Sequence, residues 1–123
     1  MRIIVDTNLW INHLRGRNSD LRGILREEDV LIHPLIYGEL ALGTYAQRDM
    51  ILEYLRELPS AVVATNNEVY QTIERHSIYG RGIGIADTMI LCSTLITPKA
   101  RLWTLDTRLA KIADELGVAY RHG

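Results

Sequence analysis

The chain has a single cysteine, Cys92, among its 123 residues. That excludes an internal disulfide and any cysteine-rich zinc site. Its setting, Met89-Ile90-Leu91-Cys92, marks it for packing and not for catalysis. The four histidines are scattered, with no pair at metal-ligand spacing. No apolar run approaches the ~20 residues needed to span a bilayer. The chain opens directly on a strand, with no signal-peptide pattern. A cytoplasmic protein without membrane contact is the expectation. The formal net charge of -1 lacks the gross basic footprint of a non-specific nucleic-acid binder, although a local basic rim around an acidic centre would vanish in that sum. Lysine is also scarce. Of 14 basic residues only Lys99 and Lys111 are lysines, and the rest are arginines. Arginine grips phosphate bidentately and suits a phosphodiester; the competing reading is a compositional bias of the source genome. There is no Walker loop, nucleophile elbow or dinucleotide fingerprint. Gly80-Arg81-Gly82-Ile83-Gly84 follows no predicted strand, so Tyr79 to Gly84 reads as a mobile segment ahead of a helix.

What is present fits one α/β domain over residues 1–123. The length is that of one domain with a real core, and 47% apolar with 24% charged residues is ordinary for a globular protein. Arg2 to Val5 is apolar without alternation, as in a strand buried on both faces. Thr7 to Leu14 reads as a helix, ended by the turn Arg15-Gly16-Arg17-Asn18, and Leu21 to Glu28 as a second helix. Val30-Leu31-Ile32 is a strand. Pro34 opens a helix that runs to about Gly43, and Gln47 to Leu58 is another. The pattern predicts a strand at Ala61-Val62-Val63-Ala64, a cap at Asn66 or Asn67, and a helix from Glu68 to Ile78. A helix from Ile85 to about Leu95, a strand from Arg101 to Leu105, a helix from Thr107 to Leu116 and a last strand at Val118-Ala119-Tyr120 complete the chain. Strands alternating with helices argue for a central, mainly parallel sheet in a three-layer α/β/α arrangement.

The informative signal is the dipeptide Asp-Thr at the end of an apolar run. It occurs as Val5-Asp6-Thr7 and again as Leu105-Asp106-Thr107, each where a strand hands over to a helix, and a third time at Asp87-Thr88 inside an apolar helical stretch. Parallel strands end along one edge, where ligands bind. Each strand-end aspartate has a plain alternative role as a helix N-cap. Glu39 is read as sitting in an apolar stripe with Leu35, Ile36, Leu42 and Gly43, and Asp87 as facing Ile83, Gly84, Ile90 and Leu91. An acid there is costly unless paired or bound to a metal; the alternative is that each lies at the margin of its stripe and reaches water or an arginine. Taken together, Asp6, Glu39, Asp87 and Asp106 form an all-oxygen set, which selects Mg²⁺ or Mn²⁺. Such clusters mostly serve phosphoryl chemistry. Arg81 and Arg108 are the candidate substrate-binding residues, holding flanking phosphates, with plain surface charge as their alternative.

These motifs resemble the PIN domain, and within it the VapC toxins of toxin–antitoxin pairs. Val5-Asp6-Thr7-Asn8, Tyr37-Gly38-Glu39-Leu40, Gly82-Ile83-Gly84-Ile85-Ala86-Asp87-Thr88-Met89-Ile90 and Leu102-Trp103-Thr104-Leu105-Asp106-Thr107-Arg108-Leu109 carry the resemblance in order along nearly the whole chain. The resemblance implies a Mg²⁺- or Mn²⁺-dependent endoribonuclease with Asp6, Glu39, Asp87 and Asp106 as catalytic, metal-holding acids. It implies accessory polar roles for Asn8 and Thr104, a homodimer, and a VapB-like antitoxin in the groove. The Gln47 to Leu58 helix, with Ile51, Tyr54, Leu55 and Leu58, is the expected self-association surface together with its predecessor. Two alternatives remain open: a PIN-like module that binds RNA or protein without cutting, and a receiver-type signalling domain. A receiver needs paired acids after its first strand and a lysine at a later strand end. Asp6 has no acidic sequence neighbour, and Lys99 precedes its strand.

Overall fold

The computed structural model describes residues 1–17 and 20–122. Three strands form one parallel sheet in the order β2-β1-β3, where β1 is Arg2–Val5, β2 Asp29–Leu31 and β3 Ala100–Trp103. Ile3, Ile4 and Val5 are all buried. Successive side chains point to opposite faces of a sheet, so helices cover both. Seven helices do this among the described residues: α1 Thr7–Leu14, α2 Leu21–Glu27, α3 Pro34–Ala41, α4 Arg48–Glu57, α5 Asn66–Arg75, α6 Ile85–Ile96 and α7 Thr107–Glu115. The main core joins Ile3, Ile4 and Val5 to Trp10, Ile36, Leu40, Leu91, Leu102 and Leu109.

Two predicted strands are not strands. Beyond β2, Ile32 makes one parallel bridge to Ser60, and beyond β3, Leu102 makes one to Ala119. The stretch 61–64 leaves the sheet after Ala61 donates to the Ile32 carbonyl. Its amides then find hydroxyls on and just after α6: Val62 donates to Thr97 Oγ1 at 2.9 Å and Ala64 to Ser93 Oγ at 3.0 Å. A backbone whose donors are met by side chains needs no neighbouring strand. At the other end, residues 118–120 meet the sheet only at Leu102 among the described residues, through Leu102 donating to Val118 and Tyr120 donating to Leu102, while the Val118 amide donates to Ala113 in α7.

Local chemistry explains several boundaries. The cap of α5 is Thr65, not Asn66 or Asn67. Thr65 and Glu68 form a reciprocal capping box, satisfying two amides that the helix leaves open. Pro34 occupies the first turn of α3, and the buried His33 caps it by accepting from the Leu35 amide at 3.1 Å. Since Nδ1 accepts, Nε2 carries the proton and donates to Ser93 Oγ at 2.9 Å. Burial pushes the His33 imidazole below its ordinary pKa of 6.5. The α1 turn includes Gly16 at φ +70°, while Asn18 lies outside the described residues. No helix among the described residues is long and apolar enough to cross a membrane.

Candidate active site

The site begins with Asp6, which leaves β1 in extended conformation. Its amide donates to the Trp103 carbonyl at 2.9 Å, extending the β1–β3 ladder by one residue. The chain then turns into α1, and Asp6 is its N-cap. Oδ1 accepts from the Thr7 amide at 2.8 Å. Oδ2 accepts from the Thr104 hydroxyl at 2.7 Å. Asp6 is only 5% exposed, so both oxygens depend on these donors.

The second strand end mirrors the first. Asp106 caps α7, its Oδ1 accepting from the Arg108 amide at 2.9 Å and the Leu109 amide at 3.0 Å. Thr104 joins the two acids, because its oxygen accepts from the Asp106 amide at 3.1 Å while its proton goes to Asp6. Asn8 pins the same loop from below, its Oδ1 accepting from the Leu105 amide at 3.3 Å. Both strand-end aspartates are therefore helix caps and neighbours at one sheet edge.

Glu39 and Asp87 reach that edge differently from expectation. Glu39 is exposed, and Leu42, read as part of its apolar stripe, is 88% exposed. Glu39 thus lies at the stripe margin, and its carboxylate has water on one side. Its Oε1 accepts from the Thr7 hydroxyl at 3.1 Å. Asp87 lies in the first turn of α6, not in its interior, where the helix dipole favours an acid. Even so, its carboxyl is pushed above the ordinary 3.8. Burial is the main cause, followed by the charges of Asp6, Asp106 and Glu39. Asp87 thus feels the charges of three acids that are themselves joined, Asp6 to Asp106 through Thr104 and Asp6 to Glu39 through Thr7.

Among the described residues, no three acidic, histidine or cysteine side chains already close around a point as a ligand set. The four acids form a loosely spaced, mutually repelling group, with Asp6 and Asp106 held by backbone amides. An all-oxygen donor set with unrelieved repulsion fits a hard divalent cation.

The arginines divide. Arg81 forms an ion pair with Glu115 at 2.6 Å. Arg108 reaches back to the Gly82 carbonyl at 3.4 Å. Gly82 has φ +85°, and a Cβ there would lie 2.6 Å from Arg108 Nη1. The left-handed backbone favours glycine here, while the Arg108 side chain is flexible and could shift to admit a Cβ. The sequence reading missed Thr7, the hydroxyl that holds Glu39. Its signal was the Asp-Thr echo, read for its acid alone. It also missed Gly82, whose positive φ and contact with Arg108 appear only in the folded chain.

Comparison with known proteins identifies the family. The PIN domain family model matches residues 3–115. Ribonuclease VapC32 of Mycobacterium tuberculosis, from strains CDC 1551 / Oshkosh and ATCC 25618 / H37Rv, is 42% identical over 117 residues, covering 95% of this chain and 94% of that protein. The fold is similar to FitAcB from Neisseria gonorrhoeae, with a TM-score of 0.65 at 21% identity over 95% of this chain and 94% of that one. With four acids gathered at the edge of a parallel sheet and these relatives along nearly its full length, the chain belongs to the PIN domain family and, within it, to the VapC group.

Proposed function

We propose that this chain is the toxin of a type II toxin–antitoxin pair, an endoribonuclease that hydrolyses RNA phosphodiester bonds with a divalent metal ion, Mg²⁺ or Mn²⁺. The observation that carries the reading is the joining of acids at one sheet edge, Asp6 to Asp106 through Thr104 and Asp6 to Glu39 through Thr7. Four carboxylates at one sheet edge are costly for the fold alone and useful for holding a cation. The likeness to a protein named as a ribonuclease supports the reaction class.

In the reaction, the oxygen of water bonds to phosphorus, the bond from phosphorus to the leaving ribose oxygen breaks, and that oxygen takes a proton. Asp6, Glu39, Asp87 and Asp106 would hold the ion, which when bound supplies Lewis acidity and positive charge toward the phosphodiester. Thr104 fixes the Asp6 carboxylate, and Thr7 fixes Glu39. Asn8 keeps the loop carrying Asp106 in place. Arg108 offers charge to a flanking phosphate from beside Asp106, whereas Arg81 must first leave Glu115. The protein acts in the cytoplasm as a single-domain homodimer, and a VapB-like antitoxin covers the groove. Incubation of structured RNA with the purified protein and Mn²⁺, beside a Glu39→Gln control, tests the reading. Cleavage by the parent and none by the variant is expected. An inert parent that still binds RNA would favour a binding module.

A further inference from the structure

A cleft of about 650 Å³ adjoins the acidic centre without belonging to it. That volume lies within the usual range of small-ligand clefts, about 300–1,000 Å³. Its near wall is Thr104, the residue that bonds Asp6. Because Ala119 pairs in parallel with Leu102, the chain after it runs beside the end of β3 toward the same sheet edge as the acids. That segment carries Tyr120, Arg121 and His122, all lining the cleft.

The lining has two ends of different chemistry. At one end is an aromatic group. Trp103, almost buried, forms the floor. Tyr120 meets it edge-on, with centroids 5.4 Å apart and planes at 63°. His122 is tilted over it at 5.6 Å and 32°. His122 is exposed and Tyr120 partly so, which leaves ring surface open to a ligand. At the other end is Lys111 on α7, one turn beyond the Thr107 that follows Asp106. Arg121 already pairs with Asp114 at 3.0 Å, whereas Lys111 has no ion pair among the described residues. The Tyr120 phenol is pushed up by burial and then by Glu28, Glu27 and Asp20. Asp20 also meets His122 Nε2 at 3.2 Å, so a carboxylate lies on the polar edge of the aromatic group and a phosphate is better met at Lys111.

We propose that this cleft is a nucleotide subsite for the RNA strand flanking the cut. One base stacks on Tyr120 and His122, and its phosphate lies against Lys111 on the side of the acids. The inference rests on the ribonuclease reading and deepens it. Aromatic faces accept any base, so the subsite adds affinity without choosing sequence.

The test is fluorescence anisotropy of the Glu39→Gln protein in Mg²⁺ with a labelled single-stranded RNA octamer, and with octamers carrying one abasic position each. One abasic position should weaken binding about tenfold, as expected for loss of a stacked base. A Tyr120→Leu, His122→Ala double variant should bind the intact octamer about tenfold more weakly and should no longer distinguish the abasic one. Tyr120→Phe should restore the difference. Lys111→Gln should lower the salt dependence for intact and abasic octamers alike. The abasic comparison uses protein with an unaltered cleft, so a folding defect in the double variant leaves it decisive. Equal binding of intact and all abasic octamers, or an abasic effect undiminished in a folded double variant, overturns the subsite. If the parent meanwhile cuts RNA, the ribonuclease reading stands without it. A parent that neither binds nor cuts RNA overturns both.

Discussion

The hydroxyl of Thr104 lies 2.7 Å from Oδ2 of Asp6 and donates its proton to it, across 98 residues of chain. The same oxygen accepts the Asp106 amide at 3.1 Å. One small side chain thus sets the distance between two acids that arrive on different strands. Thr104→Val would strip both partners, leaving a nearly buried carboxylate one donor short. Losing a hydrogen bond to a charged group costs roughly 1.5–3 kcal/mol, and partial exposure of Thr104 puts this loss at the lower end. Urea unfolding should show a drop of about 1.5–2 kcal/mol that Thr104→Ser largely restores. Cleavage should fall in Thr104→Val even at temperatures where the fold is intact.

Repulsion among the carboxylates makes a second prediction. Asp87→Asn removes a partly buried carboxyl that feels the charges of three others. The metal-free variant should melt higher than the metal-free parent. Millimolar Mg²⁺ or Mn²⁺ should raise the melting temperature of the parent, because a ligand of the native state stabilises it, and should raise that of the variant less. An equal rise in both would place the ion elsewhere.

Two groups give opposite pH dependences. The folded pKa of His33 is lowered below 6.5, so the unfolded chain takes up the proton first. Stability should therefore fall as pH drops below about 6.5 and level off once the folded imidazole titrates. Asp87 is raised above 3.8. Here the folded state takes up the proton first, and stability should rise as pH falls through the raised value, flattening near 3.8. His33→Asn retains an N-capping side chain and should remove the first slope. Asp87→Asn should remove the second. Thermal melts of the metal-free proteins across pH 4–8 separate the two contributions.

Self-association makes a fourth prediction, with a correction. Of the residues read from the Gln47 to Leu58 helix as a contact surface, Leu55 is fully buried, and Ile51 and Leu58 pack against the core. Tyr54 at 47%, Met50 at 65% and Leu42 at 88% exposure remain outward on α4 and at the end of α3. If these form the homodimer contact, Tyr54→Asp should shift the sedimenting species to monomer at tens of micromolar. A monomeric parent, or a dimer indifferent to the substitution, contradicts the surface.

Much of the site was legible because strand-end acids announce themselves. An apolar run followed by Asp-Thr fixes both the strand exit and the helix cap, and Asp6 and Asp106 lie where that pattern places them. Glu39 was found for a partly mistaken reason. Helical spacing gave its neighbours but not which of them face water, and Leu42 faces water. Asp87 was read as an interior acid from its apolar neighbours, although the helix start at Ile85, correctly read, already puts it in the first turn. The Ala61 to Ala64 stretch has the composition of a strand, yet Ser93 and Thr97 satisfy its amides. No local pattern reveals a partner more than 28 residues away. Thr104 was legible only as an accessory polar residue, because its bond to Asp6 crosses from the end of β3 to the end of β1 and exists only in the folded sheet.

The central claim is that the four carboxylates hold a divalent ion on which RNA cleavage depends. Its most direct test is a calorimetric titration of Mn²⁺ into the parent, Glu39→Gln and Asp87→Asn proteins, with RNA cleavage followed over the same ion concentrations. The account predicts saturable binding in the parent, binding lost or much weakened in both folded variants, and cleavage that rises with occupancy and stops in excess EDTA. Undiminished Mn²⁺ binding in the variants, or full cleavage persisting in EDTA, would contradict it.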